Sequence, residues 1–424
     1  MSRKNDNNRL VLFLLFITII FSIFIRVWKL DQVPAGFFAD EASIGYNAYT
    51  ILKTGKDEWG EKFPLFFRAF DEYKNPLDIY ITTIPVAIFG LNEFSVRLTS
   101  VVFNILSIFI IFFIGREIKN SLYGFYASLF FAIAPWSIHL SRVNLEGQIY
   151  LFFFLVSYFF LIRFLKKKEI RFFYLSVLFL GITCYSYFSA RVFAPIFFCL
   201  SFVFVLTKKR INLKTAIFAT MIFIAIALPL VLHILKGEGM NRFYQVSMFG
   251  NPEIDPFQKF IKSYLLHFSP DYLFFKGDKD MEGQFISRHS VAGFGQFFKN
   301  QLPFIILGFV SLFKKRNYFF WLLILILIAY PVPSSITTDL PPQATRSIIG
   351  LIPFSFLTAE GFCWFLRKIK DKNFFLVRVF VIAVMLFSLY LYLKAYFYNY
   401  PLYASDFWGW QYGPQTDNEL FFRK

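Results

Sequence analysis

Between Leu10 and Tyr392 the chain returns repeatedly to apolar stretches of about 15 to 20 residues, the length at which an α-helix crosses a hydrocarbon core. A helix satisfies its own backbone polar groups inside lipid, so each stretch is read as a spanning segment. With 57% of its 424 residues hydrophobic and a mean hydropathy of +0.54, the chain carries more apolar surface than one soluble core encloses. The solvent for most of it is lipid.

Eleven spanning helices are expected, over residues 10–28, 98–114, 122–138, 145–164, 172–188, 192–206, 216–234, 297–313, 318–330, 348–365 and 374–392. The fold class is therefore an all-α polytopic membrane protein, one domain over residues 1–424. The longest polar interval, residues 236–296, leaves no separate soluble domain. The N-terminus has a basic start and an apolar run like a signal peptide, but Ile25-Arg26-Val27-Trp28-Lys29 follows it where a small-residue cleavage site would be. It reads as an uncleaved first helix.

A formal net charge of +17, from 44 Lys and Arg against 27 Asp and Glu, raises nucleic acid as a partner. The bases sit in short clusters between apolar stretches, however, which reads as membrane topology and not as a phosphate-tracking stripe. Cys184, Cys199 and Cys363 lie in apolar runs and form no exposed disulfide framework. His139, His233, His267 and His289 have no metal-ligand spacing, so no metal is assigned. No internal repeat is visible, and the 64 phenylalanines read as lipid-facing bulk.

Segment 77–91 is apolar but short, and is interrupted by Pro85 and Gly90. If it does not span, the basic clusters at 116–119, 163–171, 208–210, 314–316 and 367–370 all share the side of the N-terminus. The positive-inside rule then makes that side cytoplasmic, and 77–91 becomes a surface or re-entrant helix on the outer face. The outer segments are the first loop (29–97), the turn Ser141 to Glu146, the large loop (236–296), residues 331–346 and the tail (393–424). The compact length favours a bacterial plasma membrane.

Ionisable residues that topology does not explain collect in these outer segments, where function is sought. Asp40 and Glu41 fall at the start of a helical pattern with Ala42, Tyr46, Tyr49 and Leu52 on one face. Taken alone, Asp40 reads as a helix N-cap, Lys74 as a snorkelling lysine and Arg97 as an interface anchor. Taken together, a paired carboxylate with a lysine and an arginine at the lipid boundary is what a phosphate-leaving-group reaction requires.

The run Asp40-Glu41-Ala42, then Lys74-Asn75-Pro76-Leu77, then Phe89-Gly90 with Ser95-Val96-Arg97-Leu98, resembles the bacterial relatives of protein O-mannosyltransferases and of the lipid A aminoarabinose transferase. These are C-type membrane glycosyltransferases that use polyprenyl-phosphate sugars. Asn75 stands where the family's usual motif has its first proline. The resemblance extends to Ser141-Arg142-Val143-Asn144-Leu145-Glu146, Tyr185 to Arg191, Gly277-Asp278 with Arg288-His289, and Thr337-Thr338-Asp339 with Ala344-Thr345-Arg346.

The resemblance implies attack of an acceptor on the anomeric carbon of a lipid-phosphate sugar, with Asp40 as base and Glu41 or Glu146 holding acceptor or sugar. Lys74, with Arg97, Arg191 and Arg346, is expected at the donor phosphate. Asn144, Asp278 and Arg288 complete the substrate set, the last two as a lid or, more plainly, as a solvated charge pair. No cofactor and no metal is called for. The expected partners are the polyprenyl-phosphate sugar donor, an acceptor that is protein, lipid or glycan, and membrane lipid, with no nucleic acid. Two other readings fit the architecture: an oligosaccharyltransferase-like ligase using a lipid-pyrophosphate glycan, and a transporter. The near absence of ionisable residues inside the spans, and of broken helices in matching halves, counts against the transporter. Aromatic residues from Tyr400 to Tyr412 read as an interfacial belt or, less plainly, a glycan-stacking surface.

Overall fold

The structure is a computed structural model that describes residues 2–69, 72–237, 247–248, 255–278, 288–338, 341–369 and 375–408. Helix α1 (Ser2–Val27) leads to a loop and to α2 (Ala39–Thr54), followed by a two-stranded antiparallel hairpin of β1 (Phe67–Ala69) and β2 (Glu72–Lys74). Segment 77–91 forms α3 (Pro76–Phe89), 14 residues long, which packs on α2 and on α4 (Glu93–Ile118). Gly90 ends α3 with φ +76°, a conformation that L side chains rarely adopt.

The bundle continues through α5 (Ser121–Ile133), α6 (Pro135–Leu140), α7 (Gly147–Lys167), α8 (Ile170–Thr183), α9 (Phe188–Thr207) and α10 (Leu213–Leu235). Next come α11 (Pro256–Leu266), α12 (Leu302–Lys315), α13 (Tyr318–Ala329), α14 (Leu351–Lys368), α15 (Phe375–Lys394) and α16 (Tyr400–Trp408). Among the described residues, eight helical stretches are long and apolar enough to cross a membrane. The remaining three expected spans, 122–138, 172–188 and 297–313, are helices too, but α5, α8 and α12 are only 13, 14 and 14 residues long.

Two expected spans have different ends for a local reason. Ala134 precedes Pro135 and is extended (φ −58°, ψ 133°), so the helix expected over 122–138 breaks into α5 and α6. Tyr187 is extended as well (φ −160°, ψ 152°), which moves Phe188 from the end of one helix to the start of α9. The tail also departs from expectation. A π-helical turn, Ala395–Asn399, carries α15 into α16, and Tyr396 and Tyr400 are fully buried against His139 at ring distances of 5.4 and 5.0 Å. That part of the tail belongs to the core and not to an interfacial belt; the aromatic stretch from Trp408 lies outside the described side chains.

Close helix packing depends on small residues where two backbones meet. A Cβ on Gly308 of α12 would lie 1.9 Å from the Leu357 carbonyl oxygen, and one on Gly361 of α14 would lie 1.9 Å from the Phe304 carbonyl oxygen. At the end of this pair, Glu360 receives Lys119 Nζ at 2.9 Å and Lys315 Nζ at 2.6 Å, with Arg367 at 4.0 Å. Lys166 pairs with Glu117 nearby at 3.5 Å. Four of the basic clusters singled out in the sequence thus collect at one end of the bundle. A charged Glu360 within α14 tolerates its burial because three cations and the Ser311 hydroxyl surround it.

Candidate active site

Two buried arginines build the frame. Arg97, on α4, directs all five of its N–H groups at protein acceptors: Nε and Nη2 at Glu41 (3.0 and 3.2 Å), Nη1 at the carbonyls of Leu30 and Pro34 (3.0 Å each), and Nη2 at Gly36 (2.6 Å). Arg142 holds the end of α1, its Nη1 and Nη2 donating to the carbonyls of Ile25, Arg26, Lys29 and Val33 at 2.7–3.0 Å. The last turn of a helix leaves carbonyls unsatisfied and presents partial negative charge, so a buried guanidinium is well placed there. Its other face lies 4.9 Å from the Phe397 ring.

The first turn of α2 places the acidic pair on opposite sides of this frame. Helix α2 begins at Ala39 with Phe38 at the N-cap, so Asp40 is not the cap; Glu41 instead accepts from the Phe38 N–H at 3.4 Å. Glu41 is fully buried and also accepts the Asn144 N–H at 3.0 Å. Glu41 and Arg97 therefore face each other inside the protein. Both were expected at the substrate, and both are occupied in holding residues 30–41 to α4.

Asp40 points the other way. Its side chain is 37% exposed, and its Oδ1 accepts Lys74 Nζ at 2.5 Å, with Lys74 itself only 5% exposed at the end of β2. The hairpin puts Lys74 there: Phe67 pairs with Lys74 across the ladder, and Phe66 and Tyr73 pack on the His233 ring at 4.1 and 4.8 Å. Next in sequence, Asn75 accepts Arg191 Nη2 at 2.8 Å, and the Arg191 guanidinium lies 4.3 Å from the Phe188 ring. Arg191 thus joins the Lys74 side of the site.

Glu146 and Arg346 approach from the remaining sides. Tyr187 marks their convergence: burial pushes its phenol up, Arg346 and a bond to Thr345 draw it back, and Glu146 and Asp40 push it up again. Arg346 also donates to Thr337 Oγ1 at 2.7 Å. Glu146 has φ +60°, rare for a residue other than glycine, and non-glycine residues in this region concentrate at functional sites.

Asn144 and Asp278 do not reach this space as substrate contacts. Asn144 is fully buried and linked to Glu41, Asp78, Thr82 and Ser100. Asp278 accepts Ser290 Oγ at 2.7 Å and the Ala344 N–H at 2.9 Å, with His289 Nδ1 at 3.3 Å. Burial pushes its carboxyl up, but His289, Ala344 and Ser290 outweigh it and bring it down to about 2. Asp278 ties His289 and Ser290 to Ala344. Arg288 remains near the site, its guanidinium 4.1 Å from the Phe38 ring, with its carbonyl accepting Tyr400 Oη at 2.5 Å. Asp339, from the motif around Arg346, lies outside the described residues.

Sequence reasoning missed Asp78 and gave no role of their own to Arg142 and Tyr187, which lie inside motifs it quoted. Asp78 looked like part of an apolar segment, yet it is fully buried, with Oδ1 accepting Asn144 Nδ2 at 2.9 Å and Thr82 Oγ1 at 3.1 Å. A carboxylate two residues inside an N-terminal proline, within a segment otherwise apolar, was the available signal.

The helical fold is similar to that of solved membrane glycosyltransferases. Residues 74–234 match the family model described as dolichyl-phosphate-mannose-protein mannosyltransferase, a stretch that runs from Lys74 past Arg97, Glu146 and Arg191. The structure is similar to oligosaccharyltransferase AglB from Archaeoglobus fulgidus in complex with an inhibitory peptide and a dolichol-phosphate. The TM-score is 0.55 at 15% identity, over 96% of this chain and 56% of that one. It is also similar to ArnT from Cupriavidus metallidurans bound to undecaprenyl phosphate, with a TM-score of 0.50 at 13% identity, over 82% of this chain and 59% of that one. The chain spans between a half and two thirds of the length of these proteins. Among curated proteins, none matches its sequence. The family match, which begins at Lys74, and the fold bear out the family resemblance read from the sequence.

Proposed function

We propose that this protein is a glycosyltransferase that moves a monosaccharide from a polyprenyl-phosphate donor to an acceptor on the outer side of the membrane. The observation that carries this reading is the Asp40–Lys74 pair, where a partly exposed carboxylate meets a buried ammonium at 2.5 Å. The acceptor reaches the anomeric carbon beside the base and the phosphate leaves it toward the cations, so both groups belong within a few ångströms of one carbon.

In the proposed reaction the acceptor heteroatom attacks C1 of the sugar and its proton passes to Asp40. The C1–O bond to the phosphate breaks, and its electron pair stays on the lipid phosphate. That leaving group needs no proton; it needs fixed positive charge, a role assigned here to Lys74, Arg191 and Arg346. Glu146 is assigned to the sugar or the acceptor, and Arg288 to the rim. In the relatives' structures, ArnT holds undecaprenyl phosphate and AglB holds a dolichol-phosphate, which supports a polyprenyl-phosphate donor here.

The reading places the Glu360 end in the cytoplasm and Asp40 outside, because four basic clusters meet at the Glu360 end. The fold likeness to an oligosaccharyltransferase favours one second reading, transfer of a whole glycan from a lipid pyrophosphate. One experiment separates them. Purified protein is incubated with radiolabelled polyprenyl-phosphate sugars and, separately, lipid-pyrophosphate glycans; release of label from the monophosphate donor alone is the expected result.

A further inference from the structure

Strands β1 and β2 are three residues each, and among the described residues they pair only with one another. A two-stranded ribbon of that size does not hold its shape alone, so what packs on its two faces sets its position. Phe67 lies opposite Lys74 in the ladder, and Arg68 lies opposite Tyr73. Alternation therefore puts Phe67 and Lys74 on one face and Phe66, Arg68 and Tyr73 on the other.

The two faces are held differently. On the Lys74 face, Phe67 is fully buried in the apolar cluster of α2, α3 and α4, its ring 5.2 Å from that of Tyr80. On the back face, both aromatic rings meet one side chain from a distant helix. His233, in the last turn of α10, stacks on Phe66 with ring centroids 4.1 Å apart and planes 10° from parallel, and meets Tyr73 edge-on at 4.8 Å and 83°. Helix α10 is itself seated on α8, and Tyr185, just past the end of α8, donates its Oη to the Ile226 carbonyl at 2.6 Å.

His233 thus joins a spanning helix to the side of the hairpin away from Lys74. Tyr73 directly precedes Lys74, whose Nζ lies 2.5 Å from Asp40 Oδ1. The Phe66 ring on which His233 stacks is also 5.8 Å from the Arg191 guanidinium, which donates to Asn75 at 2.8 Å. Removing the imidazole takes away the surface shared by Phe66 and Tyr73, while the strand ladder and the Phe67 face stay as they are.

We propose that His233 is a positioning residue: its ring braces the back of the hairpin and so fixes where Lys74, and through Phe66 also Arg191, meet the donor phosphate. The proposal rests on the glycosyl-transfer reading above. It adds a residue on a spanning helix that touches neither donor nor acceptor and acts through the hairpin.

Purified wild type, His233→Ala and His233→Phe are compared for melting temperature and for kcat and KM with a radiolabelled polyprenyl-phosphate sugar, and His233→Ala is repeated in a Lys74→Ala background. Misplacing a phosphate contact is costly, so His233→Ala is expected to lower kcat/KM about tenfold or more, while His233→Phe, which keeps a ring between Phe66 and Tyr73, stays within about twofold of wild type. In the Lys74→Ala background the further loss from His233→Ala is expected to shrink to about threefold or less, because the residue through which it acts is gone. Unchanged kcat/KM in folded His233→Ala would overturn the proposal. So would a loss as large in His233→Phe, which would assign the role to the imidazole nitrogens, or a full loss in the Lys74→Ala background. A His233→Ala protein that does not fold would overturn it too, making the ring a strut of the whole fold. If wild type transfers no sugar from any such donor, the functional reading fails and the proposal with it, whereas wild-type transfer that persists in His233→Ala ends the proposal alone.

Discussion

Lys74 Nζ lies 2.5 Å from Asp40 Oδ1, joining residues 34 apart in sequence through the turn between α2 and the β-hairpin. The next residue, Asn75 at the N-cap of α3, accepts from Arg191, so one short segment positions two of the cations proposed to face the phosphate. Replacing Lys74 by Ala is expected to raise donor KM and lower kcat together, by about 10-fold to 100-fold in kcat/KM, because the phosphate is charged when bound and more charged as it leaves. Initial rates over a range of donor concentrations check this.

Arg97→Met has a different expected signature. It leaves Glu41 buried without its partner and removes donors from the carbonyls of Leu30, Pro34 and Gly36. Breaking a buried ion pair by deleting one partner costs about 3–5 kcal/mol, so the variant is expected to be poorly folded and not selectively impaired in donor binding. A thermal-denaturation midpoint measured beside donor affinity distinguishes the frame role from a phosphate contact.

The helix contact at Gly308 is predicted to accept no larger residue. A methyl group there meets the Leu357 carbonyl oxygen at 1.9 Å, and backbone cannot rotate away as a side chain does. Gly308→Ala is expected to destabilise the α12–α14 contact by about 1–3 kcal/mol while leaving kcat/KM of the folded fraction unchanged. Detergent-solution melting curves test this.

Asp78 gives stability a pH dependence opposite in sign to that of a salt-bridged acid. Burial pushes its carboxyl up from 3.8 to about 6, against Asn144, Thr82, Glu146 and Lys74. The folded state therefore holds this proton more tightly than the unfolded chain. The resulting stabilisation is fully present below pH 3.8 and is lost as pH rises through about 6. Asp78→Asn is expected to flatten the wild-type decline in melting temperature across that window.

The helices and the grouping of the first loop were legible in the sequence because hydrophobic length and local motifs encode them. The eight long helices coincide with expected spans, and Asp40 and Lys74 were singled out together. What was not legible depends on contacts distant in sequence. Nothing in the string Ser95-Val96-Arg97-Leu98 shows that Arg97 will meet carbonyls at residues 30, 34 and 36, which is why an arginine of the frame read as a phosphate contact. Asp78 was hidden for the opposite reason, a single carboxylate averaged away in an apolar segment. Burial of Tyr396 and Tyr400 follows from the π-helical turn at residues 395–399, which aromatic content alone does not reveal.

Topology is checked by single-cysteine labelling in intact cells. An impermeant reagent is expected to reach a cysteine placed at Asp40 and not one at Lys167, since Lys166 lies with Glu117 at the end opposite the site. Labelling of position 167 alone would put the Asp40–Lys74 pair in the cytoplasm and remove the outer-side reading.

The central claim is that Asp40 takes the acceptor's proton, and the most direct measurement compares Asp40→Asn with wild type for sugar transfer and thermal stability in the same preparation. Asp40 does not cap α2 and its side chain is partly exposed, so the amide is expected to leave the melting temperature within a few degrees of wild type. Turnover with a radiolabelled polyprenyl-phosphate sugar is expected to fall by about 10²-fold or more. Transfer by Asp40→Asn at close to the wild-type rate would contradict the account.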